Sequence, residues 1–384
     1  MTSVAVAEIH VNPAVLEWAR KSRRLSLDRA ASLLEIPRAE LEDYERTPPR
    51  RHPTISILQK MSAKYQINYA ALFMPQPLDL GTPPLKDFRS GKDFEAEPLS
   101  LNTCIALQDI VDTLETFADL RIDAPGLFAV HPLDSVARGE TADALAIRQR
   151  SKIGVPIRIQ RDWPSDATAR EQWRATVERR GVFVYFMPLG AECSGFTVRH
   201  EGLFAICIND EETNNGRRIF TLFHEYCHVL RRQTGISDEN LANPVERFCS
   251  TFAAAFLVPF SALVTVLGEP TNRRDFSPRD VGRLARKFWV SWSAMALRLE
   301  HAGYANRGLY DQIAGIVRKP RPPRVRDRED IKVNRTREQA RRLGARHTMI
   351  TLEALKRGVI NTADARDLLG VEPAQFSTLR AAVE

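Results

Sequence analysis

The sequence predicts an α+β protein that is mainly α-helical, and three observations support that class. Apolar residues recur at helical spacing through most of the 384-residue chain. One stretch, residues 181–210, instead has short apolar runs separated by turn residues, which is typical of strands. The composition, 43% hydrophobic and 27% charged, is that of a globular protein, and the length allows two or three domains.

Four segments are predicted along the chain. A helix-turn-helix bundle covers residues 1–76 and ends at a Pro-rich joint, MPQPLDLGTPP. A central domain over residues 85–315 has a helical lead-in and a small antiparallel sheet. The composition of residues 316–335 predicts a basic linker rich in Pro and Arg, and residues 336–384 form a small helical segment.

The first domain is predicted from apolar spacing and chain breaks within residues 13–74. Five short helices fit this stretch, with breaks at Ser26, at Ile36-Pro37 and in TPPRRHPT. A tight turn between the second and third helices gives the layout of a helix-turn-helix.

In the central domain, three predicted strands precede a helix that carries FTLFHEYCHVL. His224 and His228 stand four residues apart, so both lie on one helix face and can bind one metal ion. Glu225 lies beside them and can act as general base toward a water on that metal. The alternative is an ordinary buried helix. Because burying two imidazoles and a carboxylate without partners is costly, the metal site is favoured.

A metal held by two histidines needs a third protein ligand, and Glu246 in NPVERFCSTFAAAFLVP is the leading candidate. It lies in the first turn of the next predicted helix. The same position fits a capping box, with Asn243 at the N-cap and Pro244 at the first helical position, so the spacing leaves both roles open. The other candidate ligands are Asp238, Glu239 and Cys249.

The net charge of +7 is concentrated in one segment. Residues 318–346 contain 12 Lys/Arg against 4 Asp/Glu, an excess of 8 that leaves about −1 for the rest. This segment is a candidate for DNA binding by charge attraction alone, since no aromatic residue is interleaved for stacking. A solvated linker explains the same composition, and both interpretations stay open.

Cysteine usage and the absence of a long apolar span predict a cytoplasmic protein with no membrane segment. The five cysteines are scattered without a CxxC pair, as expected for reduced thiols. No secretory signal is recognisable at the N-terminus. The longest apolar stretch, residues 252–267, is interrupted by Pro259 and is shorter than the roughly 20 residues of a spanning helix.

The segments RRIFTLFHEYCHVL and ERFCSTFAAAFLVP together resemble the ImmA/IrrE family of metallopeptidases. DFR at 87–89, SGF at 194–196 and ALKRGVINTADARDLLGV also resemble long members of that family. The chain departs from the family pattern at Cys249-Ser250, where Ala-Asn is usual, and at Cys227, where Gly is usual.

The resemblance implies a zincin-like fold for the central domain and a gluzincin-like endopeptidase activity. It makes Glu246 the third ligand of a zinc ion, with manganese as the alternative metal. It also implies a protein substrate, a helix-turn-helix repressor, in a stress response or a mobile element.

A mechanism of peptide hydrolysis follows from these residues. Glu225 takes a proton from the metal-bound water and passes it to the leaving amine. The strand LFAICIN is the predicted edge on which an extended substrate adds. Tyr226, His200 and Tyr304 have side chains of the right type to stabilise the oxyanion, and the sequence does not single out one of them.

The first domain resembles the Cro/C1-type (XRE) domain, whose third helix often reads DNA. In this chain that helix, PRAELEDYERT, is crowded with carboxylates, which makes approach to phosphates unfavourable. A role in dimerisation or in docking another repressor-like domain is therefore favoured, and the oligomeric state stays open. The residues left as DNA-binding candidates are Arg23, Arg24, Arg38, Arg50 and Arg51.

Two classes of function result. The leading one is a regulatory zinc endopeptidase, with DNA as a non-specific ligand or an activator. The opposing one is a non-catalytic helix-turn-helix transcriptional regulator, or an antitoxin-like protein, whose metal site is structural or idle.

Overall fold

The computed structural model describes residues 9–23, 25–65, 67, 69–77, 86–87, 99–128, 133–191, 193–233, 235–237, 243–317 and 335–384. The chain divides into two compact units. The first comprises Met1–Pro84 with Glu97–Asp109, and the second comprises Leu85–Ala96 with Ile110–Glu384. Most of the predicted linker, the residues after Asp87 in the DFR motif, Arg24, Asp238 and Glu239 lie outside the described residues.

Helices build the described part of the first unit. The bounds are α1 (Pro13–Lys21), α2 (Leu27–Leu34), α3 (Arg38–Glu45), α4 (Ile55–Tyr65) and a 3-10 helix (Tyr69–Phe73). Asn12 and Ser26 cap the first two helices through side-chain oxygens. Glu35 adopts a left-handed conformation, φ 59°, which ends α2 and turns the chain toward α3. The five predicted short helices are present and are consistent with a helix-turn-helix.

The remaining α-helices confirm the mainly α class, and the division between the two units falls inside the first of them. They are α5 (Leu101–Asp123), α6 (Ala142–Ile153), α7 (Ile157–Asp162), α8 (Asp166–Glu178), α9 (Asn215–Leu230), α10 (Pro244–Leu257), α11 (Phe260–Leu267), α12 (Pro278–Phe288), α13 (Trp292–His301), α14 (Leu309–Val317), α15 (Arg335–Lys356), α16 (Thr362–Leu369) and α17 (Phe376–Val383).

The second unit also contains a sheet with strand order β1-β5-β3-β4-β2. Its strands are β1 (Lys86–Asp87), β2 (Val182–Met187), β3 (Gly195–His200), β4 (Leu203–Asn209) and β5 (Gly235–Ser237). The α+β class is confirmed, but the prediction of an antiparallel sheet was wrong. β3 and β4 pair antiparallel, whereas β2 pairs parallel with β4. Local sequence patterns do not encode strand order, and the near-continuous apolar runs of β2 and β4 are typical of parallel neighbours.

The predicted substrate edge is also corrected by this topology. β4 corresponds to LFAICIN, and it pairs with β2 on one side and β3 on the other. Its backbone groups are therefore used within the sheet, and no added strand can pair with it. β3 lies nearer the opposite side, where β5 pairs with Gly195–Thr197.

Aromatic residues join α8, α9 and α10 in the core of the second unit. The Phe223 ring lies 5.0 Å from Trp173 and 4.2 Å from Phe256, centroid to centroid. All three side chains are buried. Such packing fixes α9 relative to α10, and these are the two helices that carry the predicted metal ligands.

The C-terminal helix α15 packs on β2 within the second unit, with α16 and α17 against it, and α15 bends where it meets α8. Gly344 in α15 has φ 82°, a conformation that favours glycine, and a Cβ there would overlap the Glu178 carboxylate. Arg174 donates to the carbonyls of Arg341 and Arg342, which precede the bend. The bend thus leaves carbonyls that a buried guanidinium satisfies.

No single helix among the described residues is long and apolar enough to cross a membrane. Only α10 and α11 taken together meet that test, and they are bent by 53° relative to each other. The apolar side chains of α10, including Phe252 and Phe256, are buried in the core.

Candidate metal centre

The helix α9 is buried along nearly its whole length. The side chain of Asn214 caps it by accepting from the N–H of Arg217. Gly216 permits a close approach, since a Cβ there would meet the backbone of Val290 and Ser291 at 2.7 Å. From Ile219 to Leu230 every residue is buried. The sequence therefore places its two histidines inside the protein, where they need partners.

Three side chains converge at the centre. The Nε2 atom of His224 lies 2.8 Å from Glu246 Oε2, and Nε2 of His228 lies 3.3 Å from Glu246 Oε1. The two Nε2 atoms are 3.3 Å apart. Tetrahedral zinc with bonds of about 2.0–2.2 Å separates neighbouring ligand atoms by about 3.3–3.6 Å. Two of the three separations already match that geometry and the third is slightly shorter.

The chemistry of the donors also fits a divalent cation. All three side chains are buried, and burial of a lone carboxylate is unfavourable. Burial acts to raise the pKa of Glu246, but its contacts with His224 and His228 outweigh this and hold the pKa below its ordinary value. Two imidazoles facing one carboxylate form a donor set of the kind that zinc binds.

Asn243 caps α10 by accepting from the N–H of Val245. Both carboxylate oxygens of Glu246 lie against the histidines, so its contacts are those of a ligand rather than of a capping box. Of the other ligand candidates, Cys249 is not among the residues whose donor atoms cluster.

Two consecutive residues on α10 support the histidines from behind. The Oγ atom of Ser250 lies 3.2 Å from Nδ1 of His224, and Cys249 contacts His228. A partner on Nδ1 fixes the ring and leaves Nε2 directed at a metal. The sequence identified Ser250 only as a departure from the Ala-Asn of the family pattern. Its spacing could have indicated this role. Cys249 and Ser250 lie three and four residues after Glu246, so they share its helix face.

Glu225 lies next to these ligands and is completely buried. Burial raises the pKa of Glu225, and the neighbouring His228 and His224 oppose that rise. Its Oε2 accepts a hydrogen bond of 2.8 Å from the hydroxyl of Thr197, whereas Oε1 has no hydrogen-bond partner among the described residues. One oxygen of the carboxylate is thus left to accept a proton. Sequence reasoning did not identify Thr197.

The three side chains predicted as candidates for stabilising the oxyanion have their contacts away from the metal-ligand cluster. The hydroxyl of Tyr226 donates to Gln149 Oε1, and that of Tyr304 donates to the carbonyl of Gly268. His200 is the last residue of β3. Among the contacts of the described residues, none joins these side chains to the metal-ligand cluster.

Three of the described arginines proposed for DNA binding have partners within the first unit. Arg23 is buried and donates to the carbonyl of Tyr65, so it does not face a phosphate backbone in this structure. Arg38 pairs with Asp28 and Glu42, so two carboxylates lie beside its guanidinium. The remaining described candidates, Arg50 and Arg51, are both exposed, and Arg50 lies 4.0 Å from Asp43.

Comparisons with known proteins bear on the second unit. The search of curated proteins found no match. The helix-turn-helix prediction has no family match either and stays a prediction. One family model does match, and the matched residues include β2, β3, β4 and β5, together with α9 and α10. Residues 177–300, which carry the whole cluster, are thus similar to the IrrE N-terminal-like domain of the Peptidase_M78 family.

Proposed function

We propose that this protein is a zinc-dependent regulatory endopeptidase. It hydrolyses a peptide bond in a partner regulator, a helix-turn-helix repressor, in a stress response or a mobile element. One observation carries the proposal: His224, His228 and Glu246 converge in the core with Glu225 beside them, inside a stretch that matches a peptidase family.

Each residue has a defined role in the proposed reaction. His224, His228 and Glu246 hold the metal. A bound zinc ion would supply a Lewis acid and would lower the pKa of a water to about 7. Glu225 accepts the proton of the attacking water at Oε1, the oxygen without a hydrogen-bond partner, and delivers it to the leaving amine. Manganese accepts the same imidazole and carboxylate donors and is the alternative metal.

The class of substrate is supported by the first unit and by the resemblance to ImmA/IrrE peptidases. Its helices are consistent with a helix-turn-helix, and the acidic α3 disfavours contact with phosphates. We propose that this unit docks a similar domain of the substrate. Single-stranded DNA acts as an activator in this scheme, through the basic residues 318–346.

The test is a cleavage assay against the helix-turn-helix proteins encoded beside this gene. Wild type and Glu225→Gln are loaded with zinc or manganese and compared with and without single-stranded DNA. The amide is isosteric with the carboxylate but cannot take up a proton, so we expect a discrete cut by wild type and a loss of at least 100-fold in the variant. Mass spectrometry of the products identifies the cleaved bond.

The contrary outcome favours the non-catalytic regulator. If both proteins bind one metal per chain and neither cuts any candidate, the metal site is structural or idle. Substitutions on the exposed face of α3 would then abolish function while Glu225→Gln would not.

A further inference from the structure

The strand β3 contacts the proposed general base through the side chain of Thr197. Thr197 is completely buried, and its hydroxyl lies 2.8 Å from Glu225 Oε2 and 3.3 Å from the backbone carbonyl of Glu225. A hydroxyl has one proton to donate, and the shorter distance assigns it to the carboxylate. A hydrogen bond to a charged acceptor is among the stronger ones in proteins.

The backbone of Thr197 is fixed on both sides. It is opposite Ile206 on β4 and Gly235 on β5, so its position in the sheet is held by two neighbouring strands. Gly195, on the same face of β3, lets the strand approach α9, since a Cβ there would lie 3.4 Å from Glu225 Cγ and closer still to Thr221 Cγ2. The hydroxyl is therefore presented from a rigid element.

The contact divides the two oxygens of Glu225 between two roles. Oε2 is occupied by Thr197, and Oε1 has no hydrogen-bond partner among the described residues. A carboxylate without such an anchor can rotate about its terminal torsion, which is broad. Anchoring one oxygen therefore holds the other in a single direction.

We propose that Thr197 is a positioning residue for Glu225, holding Oε2 so that Oε1 is the oxygen that exchanges protons during peptide hydrolysis. This inference rests on the proposed endopeptidase function. Among the described residues, the hydrogen bonds of the Thr197 side chain go to Glu225 and none goes to a metal ligand, so its effect passes through Glu225. The metal site itself is unaffected by it.

The test compares Thr197→Val, which removes the hydroxyl at nearly constant shape, with Thr197→Ser, which keeps it. We expect kcat to fall about 10–100-fold in Thr197→Val, the usual range for a supporting residue, with KM and zinc affinity unchanged. Thr197→Ser retains kcat within about 3-fold. In a Glu225→Gln background, Thr197→Val causes no further loss, because the base that it positions is already absent.

A matched control is Thr351→Val, another fully buried threonine, whose hydroxyl donates to the His347 carbonyl on α15. It leaves kcat unchanged. The proposal is overturned if Thr197→Val retains full kcat, if Thr197→Ser loses as much as the valine variant, or if zinc affinity falls with kcat. If wild type and Glu225→Gln cleave nothing, the proposed function fails first and the role of Thr197 with it. A wild type that cleaves and a valine variant that equals it overturn the role of Thr197 alone.

Discussion

At the scale of single residues, the candidate centre takes its metal ligands and their supporting residues from two helices. α9 supplies His224 and His228, and α10 supplies Glu246 together with the residues behind the histidines. Ser250 contacts Nδ1 of His224, so the imidazole is held in the orientation that leaves Nε2 facing Glu246. This support distinguishes an organised site from a chance meeting of three side chains.

Ser250→Ala tests that support. Removing the hydroxyl leaves the His224 ring with one contact fewer, and we expect zinc affinity to fall about 10-fold, within the 10–100-fold range of such changes. Competition with a chromogenic chelator measures the affinity. Ser250→Thr, which retains a hydroxyl, is the matched control and stays near wild type. Equal affinities for Ser250→Ala and wild type would show that Ser250 does not organise the site.

At the scale of elements, α15 is held on β2 by a buried histidine. The hydroxyl of Tyr185 lies 3.0 Å from His347 Nδ1, and Nε2 of His347 lies 2.9 Å from the carbonyl of Leu368. The carbonyl requires a donor, so the neutral ring carries its proton on Nε2 and accepts at Nδ1. Burial lowers the pKa of His347 to about 4.

Because the pKa of His347 is lowered in the folded protein, we expect the free energy of unfolding to depend on pH. As the pH falls below about 6.5, the unfolded chain binds a proton at His347, whereas the folded protein does so only near pH 4. The unfolded state therefore binds more protons in that window, and the free energy of unfolding falls by up to about 3 kcal/mol.

Denaturant titrations of wild type and His347→Gln between pH 7 and pH 4 measure the effect. The glutamine side chain can donate and accept but does not titrate here, so we expect its stability to change less over that window. Parallel curves for the two proteins would contradict a buried neutral His347.

At the scale of the whole molecule, each unit has its own apolar core. The first core includes Leu16, Leu41 and Leu58, and the second includes Trp173 and Phe223. The proposed metal ligands all lie in the second unit. Metal binding should therefore stabilise the second unit directly.

Removing the metal tests whether metal binding stabilises the second unit. At a free concentration 100-fold above its Kd, a ligand adds about 2.7 kcal/mol to the stability of the state that binds it. For a unit of this size we expect zinc to raise Tm by roughly 5–10 °C and a chelator to reverse the change. Calorimetry measures the shift. His224→Ala loses it, whereas Glu225→Gln keeps it because Glu225 is not a ligand. A shift of equal size in His224→Ala would place the metal elsewhere.

The sequence by itself determined the helical class, the five short N-terminal helices and the pairing of His224 with His228. These depend on local spacing, since residues four apart on a helix share a face whatever surrounds them. The strand segments were predictable for the same reason, because alternation and turn residues are local signals.

The tertiary structure decided what depends on contacts between distant residues. Strand order placed β2 parallel to β4 and removed β4 as a substrate edge. Helix packing brought Glu246 to the histidines and set Ser250 behind His224. β3 brought Thr197 to Glu225 across 28 residues of sequence. No local pattern encodes these distances, because they follow from how the apolar faces of separate elements pack against one another.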